Sequence, residues 1–521
     1  MNAVAPFTLR NLADEDVTFA GDRPAIVCFV KEDCPTCREV MPVLAAMHAV
    51  FASHLDFHVV GQTTDGNAVL EREFAPPFSL LDDSALKVSF GAEIETVPTL
   101  RVIGGDGVAD AELVGFVREE WQAMVGDLRR LHDTDECALD WAALPKWRPG
   151  CGSLSVDPAH AERLQAEADN SPIRARVMEL GSQDDEFEFM FDQGFTDGLP
   201  VVSPTPERVL RMLAGTSRDA QKVVAVMPPN MAQVTVEKIA INSVLAGCKP
   251  EYLPVVIAAV EAVCTNEFNI HGVMATTMGA SPVMVVNGPI RHHIDMNMGL
   301  GALGQGNRAN ATIGRALRLT IRNVGGAKPG GTERSTFSNP LKYTMCFAEW
   351  EERSCWPALH VDRGFDPEDS VVTVFAMSGG PTLILDEQSL TGESLGGSIG
   401  AATTTMLNAR AYGFSQCLMV VSPEHVDTFN RDSYSKADVR RRMQEASSKT
   451  LRELGGKPGL TPDEFAGLTD AELDERIPKF GADDDIDIVV AGSEAGKCTG
   501  FFHGWIPRRI GSIPVSRKIE A

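Results

Sequence analysis

One feature constrains the chain more than any other. The continuous apolar run Ala25-Ile26-Val27-Cys28-Phe29-Val30 is followed at once by Cys34-Pro35-Thr36-Cys37 and then by a segment of helical periodicity. The run reads as a buried strand. From Arg38 to His54, Val40, Val43, Leu44, Met47 and Val50 fall on one stripe of a helix. A strand–CxxC–helix order puts Cys34 at a helix N-terminus, where the dipole and free N–H groups favour a thiolate. Cys37, the more sheltered thiol, is placed to resolve a mixed disulfide. A CxxC also serves as half a zinc site. Zinc needs a second pair, and no other CxxC occurs in the sequence.

Further elements follow in the first 135 residues. Phe57 to Val60 reads as a second strand and Thr96 to Ile103 as a third, with a proline near its start. Gly104-Gly105-Asp106-Gly107 reads as a hairpin turn, Glu112 to Gly115 as a fourth strand, and Arg118 to Leu131 as a closing helix. Together these resemble the thioredoxin superfamily. The resemblance implies a cis bond at Val97-Pro98, beside the CxxC, and makes Pro98 part of the substrate-contacting surface.

The second point of interest is Pro149-Gly150-Cys151-Gly152-Ser153-Leu154, in a stretch rich in Trp and Pro (residues 136–165) that reads as a connector. A cysteine in a tight Gly-Ser turn exposes its sulfur to backbone N–H groups that stabilise a thiolate. The same tripeptide also suits an ordinary turn. The segment resembles the selenocysteine-Gly-Ser-Cys motif of the UGSC family of thioredoxin-fused (seleno)proteins, with Cys151 at the selenocysteine position. The likeness extends to Phe195-Thr196-Asp197-Gly198-Leu199-Pro200, to Ala246-Gly247-Cys248-Lys249-Pro250-Glu251-Tyr252 and to Gly325-Gly326-Ala327-Lys328-Pro329-Gly330. It implies thiol or selenol redox chemistry. Leu154 departs from the family's cysteine, which removes a local resolving thiol and makes Cys34/Cys37 the expected reductant of Cys151.

With 521 residues the chain exceeds one ordinary core. We expect an α/β protein in three parts: a thioredoxin-like domain over 1–135, the connector 136–165 carrying Cys151, and a large α/β domain over 166–521. Strands are expected at Ser281 to Asn287 and Ile486 to Ala491, and helices at Thr235 to Ala246, Leu253 to Val263 and Ala309 to Ile321. The polar stretch Ser435 to Leu473 reads as an excursion from the core. The net charge of −25 leaves no basic face for nucleic acid and disfavours anionic membranes. Met1 to Gly21 lacks a charged segment followed by an apolar one, and the longest apolar run, Leu253 to Cys264, is too short to span a bilayer. A cytoplasmic protein with mostly reduced cysteines is expected. Cys28, Cys264 and Cys417, in apolar runs, read as structural thiols.

In the large domain, Cys248 follows a helix beside Lys249, which either activates it or leaves it a helix-end residue. Cys498 lies in a glycine-rich turn behind a strand, where α/β domains place ligands, but the P-loop spacing is absent. His292-His293 with Asp295 lacks the spacing of a metal site, and no metal or cofactor is expected. His271, His360 and Arg363 are polar residues in apolar surroundings, suited to proton exchange or anion binding, or to structural roles. Arg308, Arg315, Lys328, Arg334 and Lys342 either form an anion pocket near the flexible Gly325–Gly331 stretch or pair with carboxylates.

The expected function is a thiol-dependent reductase. Cys151 acts on a small substrate, for instance the carbon–sulfur bond of a thione, and Cys34/Cys37 regenerate it. An external thiol or thioredoxin system supplies electrons. A peroxide or disulfide reductase is one alternative, and a non-catalytic soft-metal module on Cys34, Cys37 and Cys151 is another. The thioredoxin-like part is expected to swing towards Cys151, or to reach it across a homodimer.

Overall fold

All six residues of β3 (Ala25–Val30) are buried, which places this strand at the centre of a sheet. The computed structural model describes residues 4–105, 107–168, 171–178, 180–181, 184–408, 410–456, 460–508 and 511–520. The expected turn residue Asp106 and residues 457–459 of the polar stretch lie outside these. Two compact units are present, Met1–Met178 and Glu179–Ala521.

The first unit contains, in order, β1 (Phe7–Asn11), β2 (Asp16–Phe19), β3, α1 (Pro35–Phe51), β4 (Asp56–Gly61), α2 (Thr64–Phe74), β5 (Leu80–Asp82), α3 (Lys87–Gly91), β6 (Thr96–Val97), β7 (Thr99–Ile103), β8 (Ala109–Val114), β9 (Phe116–Val117), α4 (Arg118–His132), β10 (Trp147–Arg148), β11 (Cys151–Gly152) and α5 (Pro158–Ala168). Its main sheet runs β2-β1-β5-β4-β3-β7-β8. β3 pairs in parallel with β4 through the crossover helix α1, and antiparallel with β7, which turns back into β8. A β-α-β crossover followed by a β-hairpin and a helix is the thioredoxin-like arrangement. The core forms because α1 buries Val40, Val43, Leu44, Met47 and Phe51 completely. Each such side chain contributes about 1.5–3 kcal/mol when removed from water. Phe51 takes the inward place expected for Val50, which is only partly buried. Sequence periodicity did not reveal β1, β2 and β5, because these strands lack continuous apolar runs.

The segment 136–165, expected as a connector between domains, is built into the first unit. β10 pairs with β9, and β11 pairs with β6.

The second unit has a mixed sheet. Among the described residues its order is Cys346–Ala348, Ser281–Asn287, Val371–Leu385, Cys498–Gly504, Cys417–Val421 and Ile486–Val490, with Val515–Lys518 also on Val371–Leu385. The helices Val236–Ala246, Leu253–Val263 and Arg308–Asn323 stand close to their expected bounds. The α/β class therefore holds for both units. Among the described residues no helix is long and apolar enough to cross a membrane.

Candidate functional site

Cys34 is the N-cap of α1, in extended backbone at φ −88° and ψ 113°, and Pro35 opens the helix with its fixed φ. The Cys37 N–H donates to Cys34 Sγ at 3.4 Å. The Cys37 thiol adds a second hydrogen bond, and this is the largest influence holding Cys34 down to about 5; burial opposes it, and the Cys151 thiol and the N–H groups of Cys37 and Thr36 assist it. Cys34 is thus a thiolate at neutral pH. Burial pushes Cys37 well above its ordinary value, and the neighbouring Cys34 charge adds to the effect.

The Val97–Pro98 bond is cis, and Cys34 Sγ lies 3.4 Å from the Val97 carbonyl oxygen, to which its thiol form donates. Val97 is also the register partner of Cys151, and Thr96 that of Gly152. Strand pairing therefore delivers the Cys151 sulfur to Cys34. Burial, and then the Cys34 thiolate, push Cys151 up to about 11, while Lys31 pulls it down. A strand stands where a tight turn was expected, and of the two thiols it is Cys34 that is lowered and Cys151 that is raised. The Cys151 thiol is one of two, with that of Cys37, that help to hold Cys34 down. Cys34 and Cys37 are fully buried, while Cys151 is partly exposed.

What holds β11 in place is a set of contacts that carries no sequence signal. Gln62, at the end of β4, is 1% exposed. Its Oε1 accepts from the Leu154 N–H at 3.0 Å, so its Nε2 faces two hydroxyls, Ser153 Oγ at 2.6 Å and Ser89 Oγ at 3.1 Å. Ser155 donates to the Ile94 carbonyl, which leaves Ser153 to donate to Ser155 Oγ at 2.7 Å. The Ser153 N–H donates to the Glu95 carbonyl. On the helix side Thr36 Oγ1 donates to the Pro149 carbonyl at 2.6 Å, and Lys31 Nζ donates to the Gly152 carbonyl at 3.2 Å. Gly150 is required by contact: a Cβ there would lie 2.3 Å from Thr96 Cγ2 and 2.7 Å from the Val97 oxygen. A cavity of about 810 Å³ adjoins Thr96 and Ser155 and is lined also by Arg101 and Glu112.

The first unit thus brings together Cys34, Cys37, Pro98 and Cys151. The candidates of the second unit are placed separately. Cys248 is buried, burial raises its thiol to about 12, and its backbone N–H closes onto the Ser243 carbonyl at the end of Val236–Ala246. Arg308 donates to the Gly247 and Cys248 carbonyls, as a helix C-cap. Arg315 grips Asp197 with two hydrogen bonds, and Arg318 and Lys342 share Glu333. His360 is buried, with Nε2 3.3 Å from the Pro367 carbonyl. Arg363 pairs with Asp487. His271, Lys328 and Arg334 are exposed, and Cys498 is partly exposed at a strand start. His292 bonds Glu352. Among the described residues, no hydrogen bond or ion pair links Cys248, His271, Lys328, Arg334, His360 and Cys498 to one another, and no group of three or more His, Cys, Asp or Glu is arranged to hold a metal ion.

Neither a family model nor a curated protein matches the chain. Solved structures do, over the N-terminal quarter. A secreted Mycobacterium tuberculosis disulfide oxidoreductase homologous to E. coli DsbE is 19% identical, over 23% of this chain and 95% of its own, with a TM-score of 0.21. StoA from Bacillus subtilis is 18% identical over 23% and 99%, with a TM-score of 0.21. A putative thiol:disulfide interchange protein DsbE from Chlorobium tepidum is 18% identical over 25% and 94%, with a TM-score of 0.23. By its own strand order and connections the first unit has a thioredoxin-like fold.

Proposed function

We propose that the chain is a cytoplasmic, thiol-dependent reductase of the UGSC type, in which Cys151 meets a small sulfur electrophile and Cys34/Cys37 supply the electrons. The observation that carries this reading is the strand pairing of the partly exposed Cys151 with Val97, whose carbonyl oxygen lies 3.4 Å from the buried Cys34 Sγ.

The Cys34 thiolate accepts the Cys151 proton along their shared hydrogen bond, and the Cys151 thiolate attacks the substrate sulfur. With a thione in its thiol form, the carbon–sulfur bond breaks, carbon takes a proton, and Cys151 is left as a persulfide. Cys34, deprotonated again, attacks Cys151 Sγ and expels hydrosulfide, leaving a Cys34–Cys151 disulfide. Cys37 then attacks Cys34, releasing Cys151, and an external dithiol returns two electrons to the Cys34–Cys37 disulfide. With a disulfide substrate the same steps expel a thiol. The second unit is the large α/β partner domain of this scheme, and the small substrate is its proposed ligand.

The test is oxidation of a small dithiol, dithiothreitol, with thiones, disulfides and peroxides as substrates, read against the rate without protein. Turnover by the wild type, lost at least a hundredfold in Cys151→Ala, supports the reading. Turnover unchanged in Cys151→Ala sinks it.

A further inference from the structure

Cys34 is 0% exposed, although it is the activated thiolate of the site. Its surroundings show what covers it. The Thr96–Val97 edge beside it is already paired, by Cys151–Gly152 of the same chain. An extended peptide that offered a disulfide to Cys34 would add a strand to that same edge, because backbone pairing is how a sheet edge holds a peptide. β11 fills the place such a strand would take, and its cysteine stands where the peptide's cysteine would stand.

Resting on the thiol-redox reading above, we infer that residues 149–155 are a built-in strand substrate that reserves Cys34 for Cys151 and excludes protein disulfides, with Gln62 as the residue that sets this specificity. Gln62 is suited to the role because one buried amide serves both the backbone of Leu154 and the hydroxyl of Ser153. Thr36 and Lys31 fasten the other side through the Pro149 and Gly152 carbonyls. Gly150 lets the strand approach Val97 closely enough to pair. With the segment displaced, the Cys34 thiolate would attack a protein disulfide directly. One S–S bond breaks, a Cys34 mixed disulfide forms, and the departing thiolate takes a proton. Cys37 then releases the second thiol, and an external dithiol re-reduces the Cys34–Cys37 disulfide.

The experiment compares the full-length wild type with Gln62→Ala and Gly150→Val, which loosen the segment in two unrelated ways. Insulin is the protein disulfide, bis(2-hydroxyethyl) disulfide the small one, and dithiothreitol the reductant. Circular dichroism confirms the fold of each variant. The expected result is a wild type that consumes the small disulfide but speeds insulin reduction less than twofold over dithiothreitol alone, with a gain of at least tenfold on insulin in a folded loosened variant. A wild type that reduces insulin as fast as it reduces the small disulfide overturns the inference and leaves the thiol-redox reading standing. So does a pair of folded variants that still ignore insulin. A wild type whose Cys34 is not oxidised by the small disulfide, by peptide mapping, overturns both.

Discussion

Cys151 is the antiparallel register partner of Val97, the residue whose carbonyl oxygen lies 3.4 Å from Cys34 Sγ. The cysteine that would exchange with Cys34 is therefore held against it by strand pairing. Neither a swinging domain nor a second copy is needed for the two to meet, contrary to the expectation of residues 136–165 as a connector between domains.

A trapping experiment follows from this contact. In Cys37→Ser the resolving thiol is gone, so oxidation should halt at a Cys34–Cys151 disulfide. Because both cysteines belong to one unit, the crosslink should form in most molecules and at a rate independent of protein concentration. Non-reducing peptide mapping reads it. A rate that rises with concentration, or a crosslink to Cys248 or Cys498, would refute the pairing as the electron path.

The charge state of the three thiols gives a pH prediction. Cys34 is held down to about 5 by the Cys37 thiol first, with help from Cys151, while Cys151 stands at about 11. Thiolate absorbance near 240 nm in the reduced protein should show one thiolate already present at pH 7 and lost only near pH 5. Cys151→Ala removes a donor to that thiolate, so the transition should move up towards the ordinary thiol range. Stability follows the same sign. A thiol whose folded pKa is depressed contributes stability that is fully present above its unfolded value, near 8.5, and is lost as pH falls towards 5. The raised Cys151 works in the other direction, and its contribution fades as pH climbs from 8.5 to about 11. The combined contribution of these two thiols is therefore greatest near pH 8 to 9, and Cys151→Ala should lessen the alkaline loss of stability relative to the wild type.

Lys31 supplies a subtler check. Its ammonium group donates to the Gly152 carbonyl and pulls the Cys151 thiol down. Lys31→Met should raise the Cys151 value further and slow its alkylation by iodoacetamide several-fold at pH 8.5. The thiolate absorbance at pH 7, which belongs to Cys34, should be unchanged. A purely structural role for Lys31 would instead alter both readouts together through loss of folding.

Where the physics is local, the sequence suffices. The apolar run of β3, the CxxC and the periodic helix occupy consecutive residues, so the strand, the N-cap and the buried face of α1 could be read directly. The helices and central strands of the second unit were legible for the same reason. The docking of Cys151 was not, because it depends on Gln62, 89 positions away from the cysteine, and an isolated glutamine after a strand carries no sign of its partner. Arg308, Arg315 and Lys342 illustrate the converse. Their charges suggested an anion pocket, yet each is engaged by a helix-end carbonyl or a carboxylate of its own unit, and only the fold shows which carboxylates come near.

That pairing leads to the last prediction. Arg318, Lys342 and Glu333 are each at most 9% exposed, two cations on one carboxylate. Glu333 Oε2 lies 3.2 Å from Arg318 and Oε1 3.3 Å from Lys342. Burial first, and then Arg318, already lower Lys342 to about 8. Glu333→Gln keeps the shape and removes the only anion of the trio, so its cost should be that of breaking a buried pair, about 3–5 kcal/mol. The cost should also depend on pH. A lysine whose folded value is depressed loses stability as pH falls from its unfolded value, near 10.4, to the folded one, and is level below that. Without Glu333 the folded value drops further, so the penalty keeps growing below pH 8, where the wild type has levelled off. Urea midpoints at pH 7 and pH 9.5 measure this. The variant should fall behind the wild type by clearly more at pH 7, and an equal gap at both pH values would show that Lys342 does not depend on Glu333 for its charge.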